Sequence, residues 1–167
     1  MIVLQDTGRI ALAKALAAMP AYFAWGRGDG AWQEPPAVPI AGQMVDEIGR
    51  SLATIVEYVV PTTETDPERE YSVPEGVGDN ILYYKKSAQP SQWLYLQANF
   101  GFFDADGETV RECALFFGTT VTPDTPPGHR YITADQVATP GDMYTLEYRK
   151  PSPRERKQEA EFLILPL

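Results

Sequence analysis

The sequence of 167 residues holds one cysteine, Cys113, and one histidine, His129. A lone cysteine excludes an internal disulfide framework and a zinc site built from a cysteine cluster, and it agrees with assembly in a reducing cytoplasm. A lone histidine means that any Ser-His-Asp or Cys-His arrangement must run through His129, which stands in a Pro-Pro-Gly-His turn beside Arg130 and reads as a loop residue. Basic residues are also few. With 14 Lys and Arg against 23 Asp and Glu the formal charge is −9, so the chain as a whole is repelled by nucleic acid and by anionic membranes, and the expected partner is protein. No apolar run approaches the roughly 20 residues of a membrane span. The start MIVLQDTGR lacks a signal peptide's basic opening and long apolar core. The phosphate-binding G-x-x-x-x-G-K-[ST], the H-E-x-x-H zinc helix and a strand-linked G-x-G-x-x-G are all missing, so no catalytic residue and no cofactor is assigned.

What is present reads as one domain over residues 1–167, long enough to bury a core without a metal or a disulfide. Asp6 or Thr7 can cap a helix running to about Met19, with Ile10, Leu12, Ala13, Leu16, Ala17 and Met19 on an apolar arc; Pro20 then stops it. Tyr22–Trp25 is a short aromatic strand, followed by a loop rich in glycine and proline from Gly26 to Pro39. Met44, Val45 and Ile48 have helical spacing and predict a second short helix before Gly49. Ser51–Val60 is apolar on both faces and predicts an interior strand. Residues Pro61–Asp79 carry six acids against Arg69 and predict a solvated excursion. Further strands are expected at Ile81–Lys85, Met143–Tyr148 and Glu159–Leu165, with irregular connections at Thr122–His129 and a basic loop at Pro151–Lys157.

The segment Leu94–Phe117 carries the strongest local signal. Leu94, Leu96, Ala98, Phe100 and Phe102 fall on one face of a two-residue period, with Tyr95, Gln97 and Asn99 on the other. The turn at Asp104, Asp106 and Gly107 tolerates positive φ, and Thr109–Phe117 is expected to return antiparallel, closing a β-hairpin. The predicted fold class is therefore α+β: mostly antiparallel β, with an N-terminal helix and long Pro/Gly-rich loops.

Each candidate for chemistry has a plainer reading. Asp104, Asp106 and Glu108 open like a calcium loop, but its sixth and twelfth positions are Thr109 and Leu115, so no metal site is assigned. The same carboxylates as an acid–base pair lack a cleft to separate their pKa values. Cys113, on the returning strand, reads as an apolar filler. Arg27-Gly28-Asp29 spells an adhesion tripeptide, but glycine conformation and an Asp29 turn explain it. The tryptophans and tyrosines are numerous enough to serve a contact surface as well as a core. Arg149, Lys150, Arg154, Arg156 and Lys157 cluster near the end of the chain and are candidates for a protein-interaction surface that meets the acidic Pro61–Asp79 segment of a neighbouring subunit.

Several stretches, in order, carry a family resemblance. Leu4–Leu16, LQDTGRIALAKAL, resembles the opening helix of bacteriophage tail-collar fibre domains, and Trp25–Gly30, WGRGDG, is similar to their V-G-D-G turn. Met44–Arg50 resembles the L-x-x-E-x-x-R helix that follows, and Arg111–Phe116, RECALF, resembles the R-E-x-G-L-F hairpin end of fibre and baseplate proteins. Pro126–Thr133, Pro140-Gly141 and Glu161–Ile164 are similar to the end of short baseplate-associated relatives. Cys113-Ala114 stands where Ile-Gly is usual, and Pro61–Asp79 has no counterpart. The resemblance implies a structural, non-enzymatic subunit of a phage or prophage-derived tail baseplate. As an adaptor it would connect the tail tip to fibres or receptor-binding proteins, with a receptor- or carbohydrate-binding module as the alternative. It also implies a homo-oligomer, a trimer by the family's habit, located in the virion after assembly in the host cytoplasm. Leu167 follows the last strand directly, so a stand-alone subunit without a fibre shaft is expected.

Overall fold

The computed structural model describes residues 2–40, 42–74 and 80–167. Its elements in chain order are α1 (Asp6–Ala17), β1 (Ala21–Gly26), β2 (Glu47–Thr62), β3 (Tyr71–Pro74), β4 (Ile81–Lys86), β5 (Trp93–Phe100), β6 (Thr109–Phe117), β7 (Thr120–Val121), β8 (Tyr131–Thr133), β9 (Val137–Thr139), β10 (Asp142–Pro153) and β11 (Glu159–Pro166). A 3₁₀ turn, Ala134–Gln136, lies between β8 and β9. The fold is mostly antiparallel β with one N-terminal helix. Contacts divide the chain into two compact units, with one division between α1 and β1 and three inside β2, β5 and β11.

One unit comprises Met19–Thr54 and Ala98–Glu161. Its centre is β1, whose six residues are all buried because β2 pairs along one edge and β6 along the other, both antiparallel. Trp25 sits opposite Gly49 on β2 and Cys113 on β6, two small neighbours that leave room for the indole. The indole stacks on Phe100 with ring centroids 3.5 Å apart and planes within 8°. β10 pairs antiparallel with the far edge of β6, and β8 pairs with β2. Ala24, Ala114 and Phe116 form a small apolar cluster against Met44, Met143 and Leu146.

The other unit comprises Met1–Ala18, Ile55–Gln97 and Phe162–Leu167. Here β4 lies antiparallel between β2 and β3. Val59, Tyr84, Tyr95 and Ile164 form the core, with Ile55, Tyr71, Val73 and Trp93 packed on it. Tyr95 stacks on Tyr71 at 3.9 Å. The α1 helix buries only Ala13 fully; Ile10, Leu16, Ala17 and Met19 of the predicted apolar arc are half-buried, and Leu12 is exposed. Its cap position is Gln5, without a side-chain bond, where Asp6 or Thr7 was expected.

Four further expectations are corrected. Leu94–Phe117 is not a hairpin: β5 pairs with β2 and β11, while β6 pairs with β1 and β10. The strand signal and the turn are both there, but alternation and a tight turn cannot say which strand becomes a neighbour. The Met44–Arg50 helix does not form, because Glu47–Arg50 already belong to β2, with Gly49 and Arg50 held between β1 and β8. The acidic excursion is interrupted by β3, and its residues 75–79 lie outside the described ones. The basic loop is shorter than expected, since β10 runs on to Pro153.

Candidate functional site

The Trp25–Gly30 turn and the Arg111–Phe116 strand meet in one buried polar lock. Glu112 is fully buried, and its carboxylate accepts three backbone N–H bonds: from Gly28 at 3.0 Å, Val45 at 2.8 Å and Asp46 at 3.2 Å. A carboxylate so placed satisfies donors that no strand ladder reaches, and it ties the loop after β1 to β6. The glycines are part of the device. A Cβ on Gly26 would stand 2.4 Å from Glu112 Oε2 and 2.9 Å from the Asp46 carbonyl oxygen, so only a glycine lets the carboxylate approach. Gly28 has φ +59°, where an L side chain is strained, and a Cβ there would also strike the Trp32 ring.

Arg27, between these glycines, turns outward and grips Glu108 with two 2.6 Å bonds and Asp46 at 3.1 Å. The Arg27 guanidinium beside Glu108 holds that carboxyl below the usual range. Asp29 accepts the Ala31 N–H at 2.8 Å, closing the turn as expected. Two buried arginines complete the frame. Arg50 is bidentate to Glu47 at 2.6 and 2.9 Å, donates to Thr119 Oγ1 and the Pro140 carbonyl, and lies 3.7 Å over the Phe116 ring. Arg154, 5% exposed, donates to the Gly101 and Asp104 carbonyls at 2.6 and 3.1 Å and sits over Trp25. Trp25 Nε1–H in turn donates to Glu161 Oε1 at 2.7 Å, and Arg149 holds the same carboxylate bidentately.

The cluster of five basic residues is therefore not a uniform patch. Arg154 is buried and supports the turn before β6. Arg149 belongs to the Trp25–Glu161 network, Lys150 reaches Glu34 at 2.9 Å, Arg156 reaches Asp106 at 3.1 Å and Lys157 reaches Glu159 at 3.0 Å. Of the predicted turn residues, Asp104 accepts the Gly101 N–H at 2.6 Å and Gly107 has φ +78°. Ala105 takes the second positive φ, at +55°. Cys113 is a buried free thiol that burial pushes well above its ordinary pKa. His129 is exposed on its turn, bordering a groove of about 550 Å³ with Asn99, Arg130, Tyr131 and Gln158.

Glu112 and Arg50 stand inside two of the family-like stretches, yet their roles come into view only with the fold. The available signal was an acid preceding the apolar run Cys113–Phe117, and an arginine opening the β-branched strand after Gly49. A charge in such a place needs a buried partner. Among the described residues, no group of three or more His, Cys, Asp or Glu side chains is placed to hold a metal ion, and no helix is long and apolar enough to cross a membrane.

No curated protein matches the sequence. The family described as baseplate wedge 3 tail fiber network component matches residues 1–167, and a collar-type assignment is not what it supports. A chain matched from end to end, with its two most motif-like stretches joined by one buried carboxylate, is a bacteriophage tail structural protein and belongs to the baseplate wedge 3 tail fiber network component family.

Proposed function

We propose that this chain is a non-enzymatic adaptor of the baseplate, joining the tail tip to fibres or receptor-binding proteins and working as a homo-oligomer about the tail axis. The observation that carries the reading is the use of its buried charges. Glu112, Arg50 and Arg154 each make three or more hydrogen bonds within the fold, so their chemistry goes into holding loops in fixed positions. Rigid loops suit a part that must dock repeatedly in one geometry, because little ordering entropy is left to lose on binding. The exposed bases Lys150 and Arg156 then act in steering, where rim charges influence association more than stability.

The test is a phage with the gene interrupted and complemented in trans. Tails that form but lack fibres, restored by the wild-type chain, are the expected outcome; fibres attached at normal number without the chain would overturn the adaptor reading. A second reading, receptor or carbohydrate binding, is favoured by the groove beside His129, Arg130 and Tyr131. A glycan array probed with the isolated chain separates the two, since an adaptor without this role gives no specific spots.

A further inference from the structure

Two phenylalanines stand in solvent on a turn tied by several hydrogen bonds. Phe102 is 50% and Phe103 74% exposed, on the turn between β5 and β6. The turn is tied internally by the Asp104 N–H to the Gly101 carbonyl and the Asp106 N–H to the Phe103 carbonyl, and by the Gly101 N–H to the Asp104 carboxylate. Beneath it the buried Arg154 guanidinium holds the Gly101 and Asp104 carbonyls, and buried Ala105 is fixed in the left-handed region at φ +55°. A buried arginine and a strained alanine are an expensive way to make a connection, whereas aromatic rings on a preorganised support are what the centre of a binding surface needs.

The surroundings say what would cover them. Phe103 borders a groove of about 470 Å³ lined by Arg27 and by Glu47, Asp106, Glu108 and Asp135, in which Arg27 pairs with Glu108 and the buried Arg50 with Glu47. Arg156, over the Phe103 ring at 5.8 Å, adds one base and is occupied by Asp106. Among the described residues Asp135 has no ion-pair partner. Resting on the adaptor reading, we infer that Phe102 and Phe103 are the anchor by which this chain docks on another tail protein, one offering an apolar pocket rimmed by lysine or arginine.

Tails assembled without this chain are the probe, and binding of the purified, labelled chain to them is measured at low and high salt. Phe102→Ser with Phe103→Ser is expected to weaken binding by ~30-fold or more, the scale of hot-spot residues, with the melting temperature unchanged. Asp135→Lys is expected to weaken it by about 3-fold at low salt and to flatten the salt dependence, as a rim charge does. Should the double variant misfold, Phe103→Ala alone carries the test, with a loss of ~10-fold expected. Binding of the folded variants equal to wild type overturns the inference while leaving the adaptor reading intact. Failure of the wild-type chain to bind the tails overturns both. If sedimentation shows the wild type self-associating and the double variant monomeric, the occupant is a second copy and the assigned partner is wrong.

Discussion

The two compact units solve the problem of charge in opposite ways. In the unit built on β1, three charged side chains are buried: Glu112 at 0%, Arg50 at 2% and Arg154 at 5% exposure. In the unit built on β4, Ser91 is the buried polar side chain among the described residues, and the charged groups stay at or near the surface. There Lys86 pairs with Glu57 at 2.5 Å, and Lys85 pairs with Asp66 and Glu68. Aromatic packing of Tyr71, Tyr84 and Tyr95 does the holding. Surface pairs are worth about 0–1 kcal/mol each, whereas removing one partner of a buried charged network costs about 3–5 kcal/mol. The first unit thus spends its charges on geometry, and the second keeps them for solubility and leaves stability to apolar burial.

Breaking the first unit should accordingly cost far more than breaking the second. Glu112→Ala leaves the N–H groups of Gly28, Val45 and Asp46 without their acceptor, and a loss of about 3–5 kcal/mol is expected in denaturant unfolding. A loss under about 1 kcal/mol would put the lock on the level of a surface pair.

Two glycines sharpen the same point. Gly26→Ala forces a methyl against the Glu112 carboxylate and should cost about 1–3 kcal/mol, as overpacking does. Gly107→Ala meets no atom within 4 Å, so only its positive φ is penalised, at about 1 kcal/mol. Equal melting temperatures for the two variants would show that contact with Glu112 contributes nothing.

In the second unit the measurable effect is titration. The Thr62 hydroxyl donates to Asp66, and with the Glu68 N–H and Lys85 this holds the Asp66 carboxyl at about 2, below its ordinary 3.8. A depressed carboxyl contributes stability above its unfolded pKa and loses it as pH falls through the folded one, so this contribution fades between about pH 4 and 2. Glu57, held down by Lys86 and Tyr71, acts in the same sense. Thr62→Val should raise the Asp66 midpoint toward 3.8 in an NMR titration and leave stability at neutral pH almost unmoved. An unshifted midpoint would remove the hydroxyl from the account. At the bottom of the scale, Cys113→Ser and His129→Ala are expected to leave tail assembly and infectivity at wild-type level in a complementation assay. A folded but non-infective variant of either would return chemistry to the chain.

Much of the local structure was legible, and the pairing was not. β1, β4 and β11 follow from aromatic or alternating runs, and the burial of Leu94, Leu96, Ala98 and Phe100 follows from their period of two. Phe102 breaks the period because the strand has ended at Phe100. The hairpin failed because strand choice is a long-range matter: β6 finds β1, some 90 positions earlier in the register Ala24↔Ala114, in preference to the strand that precedes it. The Met44–Arg50 helix failed because three apolar positions fit either period, and the β-branched run after Arg50 carries its strand upstream. The site was half visible. WGRGDG and RECALF were recognisable stretches, but that Glu112 of one binds the amide of Gly28 in the other depends on the β1–β6 register, which no local pattern encodes.

One carboxylate, that of Glu112, locks the turn after β1 to β6. Native-state hydrogen exchange at the Gly28, Val45 and Asp46 amides, in the wild type and in Glu112→Gln, tests it most directly. The wild type should protect all three amides, and the variant, left with a single acceptor oxygen, should lose protection at either Val45 or the Gly28 and Asp46 pair while Phe23 and Leu115 in the β1–β6 ladder stay slow. Unchanged protection at all three amides would contradict it.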